Sequence, residues 1–286
     1  MHQIQSNPMQ DDNVAPVAMR YRTLGKTQLE VSVIGFGASP MGNVYENVDP
    51  AESSRAVHFA IDQDINFFDV SPYYGLTLAE EHLGQALDGR RKEVILATKC
   101  GRYGADVFNF SGAHIRKGLD ASLKRLRTDY VDLLKVHDVE FGDVNQIIHG
   151  RSQRCDAFRR KGRLVISALG VINASGLHMG ILTDRNAPDW HPTPTSVREA
   201  GRQAAEFCRS QGEDLSELAL QFCFEYPRVA STLVGMSDVE EVRRNLRAFY
   251  TSPKPEVLRE VRAMLVPVFN YRWPSGRPEN QDVFLA

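Results

Sequence analysis

Short apolar runs alternate with amphipathic stretches along this chain, and the first four runs begin roughly thirty residues apart. That rhythm describes βα units, which assemble into a parallel sheet with helices outside it. Residues 31–36, 65–70, 94–98 and 130–136 read as strands, the first ending in the glycine-rich turn GFGASPMG. RLVISALGVINASG contains a strand, or two short ones around Gly170, and 231–234 is a last strand. About six strands result.

Helix-start signals lie between the strands. In Asp49-Pro50-Ala51-Glu52, Asp49 is the cap, proline takes the first position and Glu52 reaches back. That helix runs to about Gln63 with Ala56, Phe59 and Ala60 on one side. Thr77 and Glu80 read as a capping box ahead of Leu83, Ala86 and Leu87. Ser111 opens a longer helix in which Ile115, Leu119, Leu123 and Leu126 share a face. The Arg-rich stretch 151–163 reads as a helix with a wet face, and 196–211 and 216–226 as two more. Ser237 and Glu240 form a further capping box. The expected organisation is a disordered leader at 1–20, one α/β domain at 21–266 and a Pro-rich, aromatic tail at 267–286 that holds Tyr271 and Trp273.

The 286 residues suit one large α/β domain or two small ones. A net charge of −2 gives no global attraction to nucleic acid or anionic membrane. The leader lacks the apolar core of a signal peptide and the arginines of a transit peptide. The longest apolar stretch, 164–182, holds Asn173, His178 and three glycines, which a bilayer-spanning helix would bury. Cys100, Cys155, Cys208 and Cys223 form no CxxC pair, so they read as the reduced thiols of a cytoplasmic protein. His178 and His191 are isolated, and no metal site is expected.

Four polar side chains stand where strands end: Asp69 and Tyr74 in INFFDVSPYYG, Lys99 in VILATKCG and His137 in YVDLLKVHD. Parallel strands share one rim at their carboxyl ends, where active sites are built. Singly, each has a structural explanation: a strand-end cap, a packing tyrosine, a solvated lysine, a half-buried histidine. Together, on three successive strands, they suit hydride transfer at a carbonyl carbon. An alcohol loses hydride only as its oxygen gives up a proton, so an acid/base is needed. Tyrosine titrates near 10, and a neighbouring ammonium lowers that value. Lys99 is therefore expected to tune Tyr74, with Asp69 holding Lys99 and His137 orienting the substrate oxygen.

The segments D-x-S-x-x-Y-G at 69–75, T-K at 98–99 and the strand-end His137 resemble the catalytic tetrad of the aldo/keto reductases. RTLGKTQLEVSVIGFGASPMGNVY, DYVDLLKVHDVEFG, PDWHPTPTS and STLVGMSDVEEVRRN resemble the L-galactose dehydrogenase subgroup, across most of the chain beyond the leader. The resemblance implies a TIM-type (β/α)8 barrel and oxidation of the C1 hydroxyl of an aldose to a lactone. It implies Tyr74 as acid/base, preferred to Tyr73 because it immediately precedes Gly75. It places the dinucleotide along Gly37, Ser175, Gly235, Met236, Ser237, Glu241 and Asn245. NADP-preferring members carry Lys or Arg where Ser237 stands, so NAD is expected, with NADP possible. The implied partner is a small sugar, and the implied state a monomer or weak oligomer.

The chain departs from the family after Arg163. FRRKGR leads into the fifth strand of family members and GVINASGLHMGILT resembles the seventh, yet here they nearly abut. By comparison with the family pattern, roughly fifty to sixty residues, most of two βα units, are absent, including the strand ends that hold the nicotinamide carboxamide. Gly176 stands where the subgroup has proline. A barrel closes only when strand number, shear and tilt agree, so an incomplete or rearranged sheet is expected. An inactive or regulatory relative that keeps the scaffold is the alternative reading.

Overall fold

The computed structural model describes residues 18–143, 170–185, 187–189, 191–271 and 276–280. The expected helix at 151–163, Cys155, Trp273 and nearly all of the leader lie outside them. Eight strands are described: β1 (Tyr21–Thr23), β2 (Glu30–Ser32), β3 (Ile34–Gly37), β4 (Phe67–Asp69), β5 (Ile95–Cys100), β6 (Leu133–Val136), β7 (Ile172–Ala174) and β8 (Ser231–Gly235). β1 and β2 form an antiparallel hairpin. The other six make one parallel sheet in the order β6-β5-β4-β3-β8-β7. This is an incomplete (β/α)8 barrel, and among the described residues β6 and β7 end the sheet.

The expected strand at 31–36 divides in two. Ser32 Oγ donates to the Ile34 carbonyl, and the Ser32 N–H donates to Asn66 Oδ1. β2 therefore leaves the parallel sheet and pairs with β1 below it. Packing begins before residue 21: Met19 is buried, and Arg20 pairs with Glu225.

Seven helices are described: α1 (Pro50–Asp62), α2 (Leu78–Ala86), α3 (Gly112–Arg125), α4 (Thr195–Ser210), α5 (Leu215–Glu225), α6 (Val239–Tyr250) and α7 (Pro255–Leu265). α3, α2, α1, α6 and α5 follow one another around the outside, and α7 packs on α4. α7 was not anticipated, although Pro255 and the i, i+4 pair Val257 and Val261 announce it. No helix among the described residues is long and apolar enough to cross a membrane.

Strand alternation sorts the side chains. Phe36, Phe68, Leu96 and Leu134 face the helices, in a core with Ala56, Val57, Leu83, Leu119 and Leu246. Phe67, Ala97, Leu133 and Leu233 turn inward, where Leu24 and Val31 of the hairpin region plug the lower end. The next inward positions along β4, β5 and β6 are Asp69, Lys99 and Lys135.

Two capping expectations fail at α1 and α2. Asp49 does cap α1, accepting from the Ala51 N–H. Glu52, however, reaches Arg55 and the Val239 N–H rather than its own cap. Thr77 has φ +89°, its side chain caps no backbone N–H, and its hydroxyl donates to Glu81. Glu80 is drawn into the interior instead, fully buried, accepting from the Thr98 hydroxyl at 2.6 Å and from Arg125 at 2.7 Å. A buried carboxylate needs such partners. The helices meet closely here: a Cβ on Gly84 would lie 2.2 Å from the Arg125 carbonyl oxygen.

Arg125→Ala should lower unfolding stability by about 3–5 kcal/mol, because it leaves the Glu80 carboxylate buried without its cation. Urea denaturation checks this, with Arg202→Ala, which removes the exposed pair with Glu199, leaving the midpoint nearly in place.

Candidate active site

Asp69 ends β4 with 3% of its surface exposed. Its Oδ1 accepts from Lys99 Nζ, and its Oδ2 is ion-paired with Lys135 Nζ. Lys99 also donates to the Val70 carbonyl at 3.0 Å. Lys99 and Lys135 are register partners on β5 and β6, so the carboxylate sits between two ammoniums in one row. Burial works to raise the Asp69 carboxyl, but Lys135 and Lys99 outweigh it and hold it below its usual range.

Tyr74 lies over this row. Lys99 Nζ is 4.5 Å from its ring centroid, against the face rather than on the hydroxyl. The turn that presents Tyr74 is very tight: Gly75 has φ +59°, and a Cβ there would lie 2.0 Å from the Gly42 carbonyl oxygen. That close approach explains the glycine after the tyrosine. Tyr73 also meets His137 edge-on, with ring centroids 6.0 Å apart, and carries the Arg102 guanidinium 3.7 Å from its ring centroid. The expected tuning of Tyr74 is not found: burial, followed by the charge of Asp69, pushes the Tyr74 phenol above its ordinary value. The site as it stands holds a neutral phenol.

His137 packs edge-on against Tyr74, with ring centroids 5.6 Å apart. Its Nδ1 lies 3.0 Å from Ser71 Oγ, which already accepts from the Tyr73 N–H. Ser71 Oγ and Nδ1 share one hydrogen bond, and Nε2 lies 3.6 Å from Asp138 Oδ2. Burial, aided by the Lys99 charge, lowers the His137 pKa to about 4. At neutral pH the site therefore holds an uncharged imidazole beside an uncharged phenol.

Three residues were missed in the sequence. Lys135 was hidden in the apolar run LLKV, although period-two alternation puts it on the face of His137. Ser71 stands inside the D-x-S-x-x-Y-G motif without an assigned role. Arg102 pairs with Asp138 at 2.6 Å and stacks on Tyr73, which fixes the loop after His137. The described part of the tail reaches the same loop, where Asn280 Nδ2 donates to the carbonyls of Glu140 and Gly142, each at 2.7 Å.

The expected dinucleotide positions collect on the other half of the rim. Gly37 is register partner of both Asp69 and Gly235, and the Met236 N–H donates to the Gly37 carbonyl. Ser175 follows β7 with φ +58°. Ser237, Glu241 and Asn245 lie at the start of α6. The cap of α6 is Asp238 rather than Ser237, because its extended backbone brings Oδ1 to the Glu241 N–H at 2.7 Å. Ser237 gives both its N–H and its hydroxyl to Glu241 Oε2. With Glu52 on the Val239 N–H, three carboxylates occupy this helix start.

A parallel barrel with this inward polar row at its carboxyl rim is the architecture of an oxidoreductase family. The chain belongs to the aldo/keto reductase family, whose model matches residues 33–164 and 166–265. It is 37% identical to L-galactose dehydrogenase of Arabidopsis thaliana over 314 aligned positions, covering 91% of this chain and 98% of that one. It is 26% identical to D-arabinose 1-dehydrogenase of Saccharomyces cerevisiae, covering 88% and 96%. The holo form of an aldo-keto reductase from Bacillus halodurans shares the fold with a TM-score of 0.67 at 23% identity, covering 86% and 96%. The 314 aligned positions of the first relative exceed by roughly fifty the residues that 91% of a 286-residue chain supplies, in keeping with an internal loss of the expected size.

A buried neutral histidine has a stability signature. Between pH about 6.5 and about 4 the unfolded chain binds a proton that folded His137 refuses, so stability falls as pH falls through this window. Thermal unfolding at stepped pH should show this decline, and His137→Gln should lessen it, leaving the smaller share of His178 and His191, which burial also lowers.

Proposed function

We propose that this chain oxidises the C1 hydroxyl of an aldose of the L-galactose type to the lactone, using NAD in preference to NADP, as a cytoplasmic enzyme. The observation that carries this reading is the grouping of Asp69, Tyr74, Lys99 and His137 on the inner face and rim of three successive strands. The likeness to two sugar dehydrogenases supports the substrate class. A bound nicotinamide supplies the acceptor for the hydride leaving C1.

The chain's own residues handle the oxygen and its proton. His137 and the Tyr74 hydroxyl converge on the substrate oxygen. Tyr74 takes the hydroxyl proton as phenolate during oxidation and returns it in the reverse direction. Asp69 holds Lys99 against the ring of Tyr74, and Ser71 hydrogen-bonds His137 Nδ1. Because burial raises the Tyr74 phenol, phenolate is scarce at neutral pH and its fraction grows with pH. Sugar oxidation should therefore accelerate steadily into the alkaline range, with no histidine step above pH about 4.

Gly37, Gly235 and Met236 would follow the dinucleotide along the rim, with Ser175 beside them, and Ser237, Glu241 and Asn245 would meet its adenosine end. Carboxylates at the start of α6 suit a ribose diol, which donates hydrogen bonds, and repel a 2′-phosphate. Ser237→Lys should therefore raise the use of NADP relative to NAD, as read from the ratio of kcat/KM values for the two cofactors; an unchanged ratio removes the role assigned to this position.

The deciding experiment pairs thermal unfolding with turnover. NAD at a hundredfold excess over its Kd should stabilise the chain by about 2.7 kcal/mol. Tyr74→Phe should keep that stabilisation and abolish L-galactose oxidation. A regulatory relative instead would bind NAD without turnover in the unmutated chain, and retained turnover in Tyr74→Phe would remove the assigned acid/base.

A further inference from the structure

Lys135 belongs to no part of the tetrad, yet it is bonded to the tetrad's carboxylate. It rises from β6 two residues before His137, on the same inward face, and shares Asp69 with Lys99. One lysine would neutralise Asp69; two leave a surplus positive charge in a partly buried site. The groups around Tyr74 do not cancel that surplus. From β4 comes Asp69, from β5 Lys99, and from β6 Lys135 and the uncharged His137. The loop after β6 brings Asp138, already paired with Arg102, and the loop after β3 brings Tyr45. Among these groups, the one negative charge the reaction can create beside the row is the Tyr74 phenolate.

We propose that Lys135 is a positioning residue for the reaction: by sharing Asp69 with Lys99 it supplies the surplus positive charge that answers the Tyr74 phenolate, and so sets the pH at which Tyr74 exchanges its proton. This rests on Tyr74 being the acid/base. The charge of Lys135 acts on Tyr74 against the burial and the Asp69 charge that raise the phenol, while burial lowers the pKa of Lys135 itself, so the effect is read below the pH at which Lys135 gives up its own proton. Like charges side by side in a sheet repel, and Asp69 between the two lysines removes that cost. Loss of Lys135 therefore leaves Asp69 paired with Lys99, and the fold is expected to survive.

The test introduces 3-nitrotyrosine at position 74, whose phenol ionises at far lower pH and colours on ionising. Its visible band is titrated with Lys135 present, in Lys135→Met and in Lys135→Arg. The midpoint should rise by about one pH unit or more in Lys135→Met, the size expected for loss of a close opposite charge. Lys135→Arg should restore it. In the unlabelled enzyme, Lys135→Met should lower kcat for sugar oxidation about tenfold or more across the rising limb. The slope with pH and the KM should stay unchanged. An unmoved midpoint, or an equal rise in Lys135→Arg, overturns the assignment of Lys135. A moved midpoint beside a Tyr74→Phe variant that still turns over overturns the acid/base reading of Tyr74 and leaves the charge assignment standing.

Discussion

The carboxylate of Asp69 is the tie on which the rim depends. A buried carboxylate persists only with partners that share its burial. Asp69 finds two on the strands that follow, and in answering it they bind the upper ends of β4, β5 and β6 together. The same arrangement resolves the repulsion of Lys99 and Lys135, which face each other across adjacent strands. Tyr74 and His137 then pack onto a row whose charges are already placed. Each is buried enough to stay neutral.

The incomplete barrel is intelligible in the same terms. The hydrogen-bonded order β6-β5-β4-β3-β8-β7 keeps every strand that bears the inward polar row next to its neighbours. The outer core is likewise continuous, because α3, α2, α1, α6 and α5 succeed one another around those strands. A parallel sheet with helices on one face can retain a local piece of the family's chemistry when βα units are lost elsewhere, since each unit packs mainly on adjacent ones. The start of α6 keeps its neighbours β8 and α1.

Much of this was legible in the sequence because it follows from short-range rules. Period-two alternation and the βα rhythm determine which strands exist and which side chains face inward, and the strand-end positions of Asp69, Lys99 and His137 follow from that. The caps at Asp49 and Ser111 are local, and they hold. The boxes assigned to Thr77–Glu80 and Ser237–Glu240 did not form: tertiary partners, Arg125 and Thr98, took Glu80, and at α6 a competing local cap, Asp238 accepting from the Glu241 N–H, moved the helix start one residue along.

What only the tertiary structure decided is electrostatic. The sequence places a lysine near a tyrosine, and in water that would lower the phenol; burial and the Asp69 charge reverse the sign. Nor do residue types show that Lys135 shares the Asp69 carboxylate, that Ser71 hydrogen-bonds His137, or that Asn280 ties the tail to the loop beyond it. Strand periodicity is a property of consecutive residues and can be read along the chain. Desolvation and charge pairing depend on which distant side chains come to share one low-dielectric space, and that is settled only when the strands are side by side.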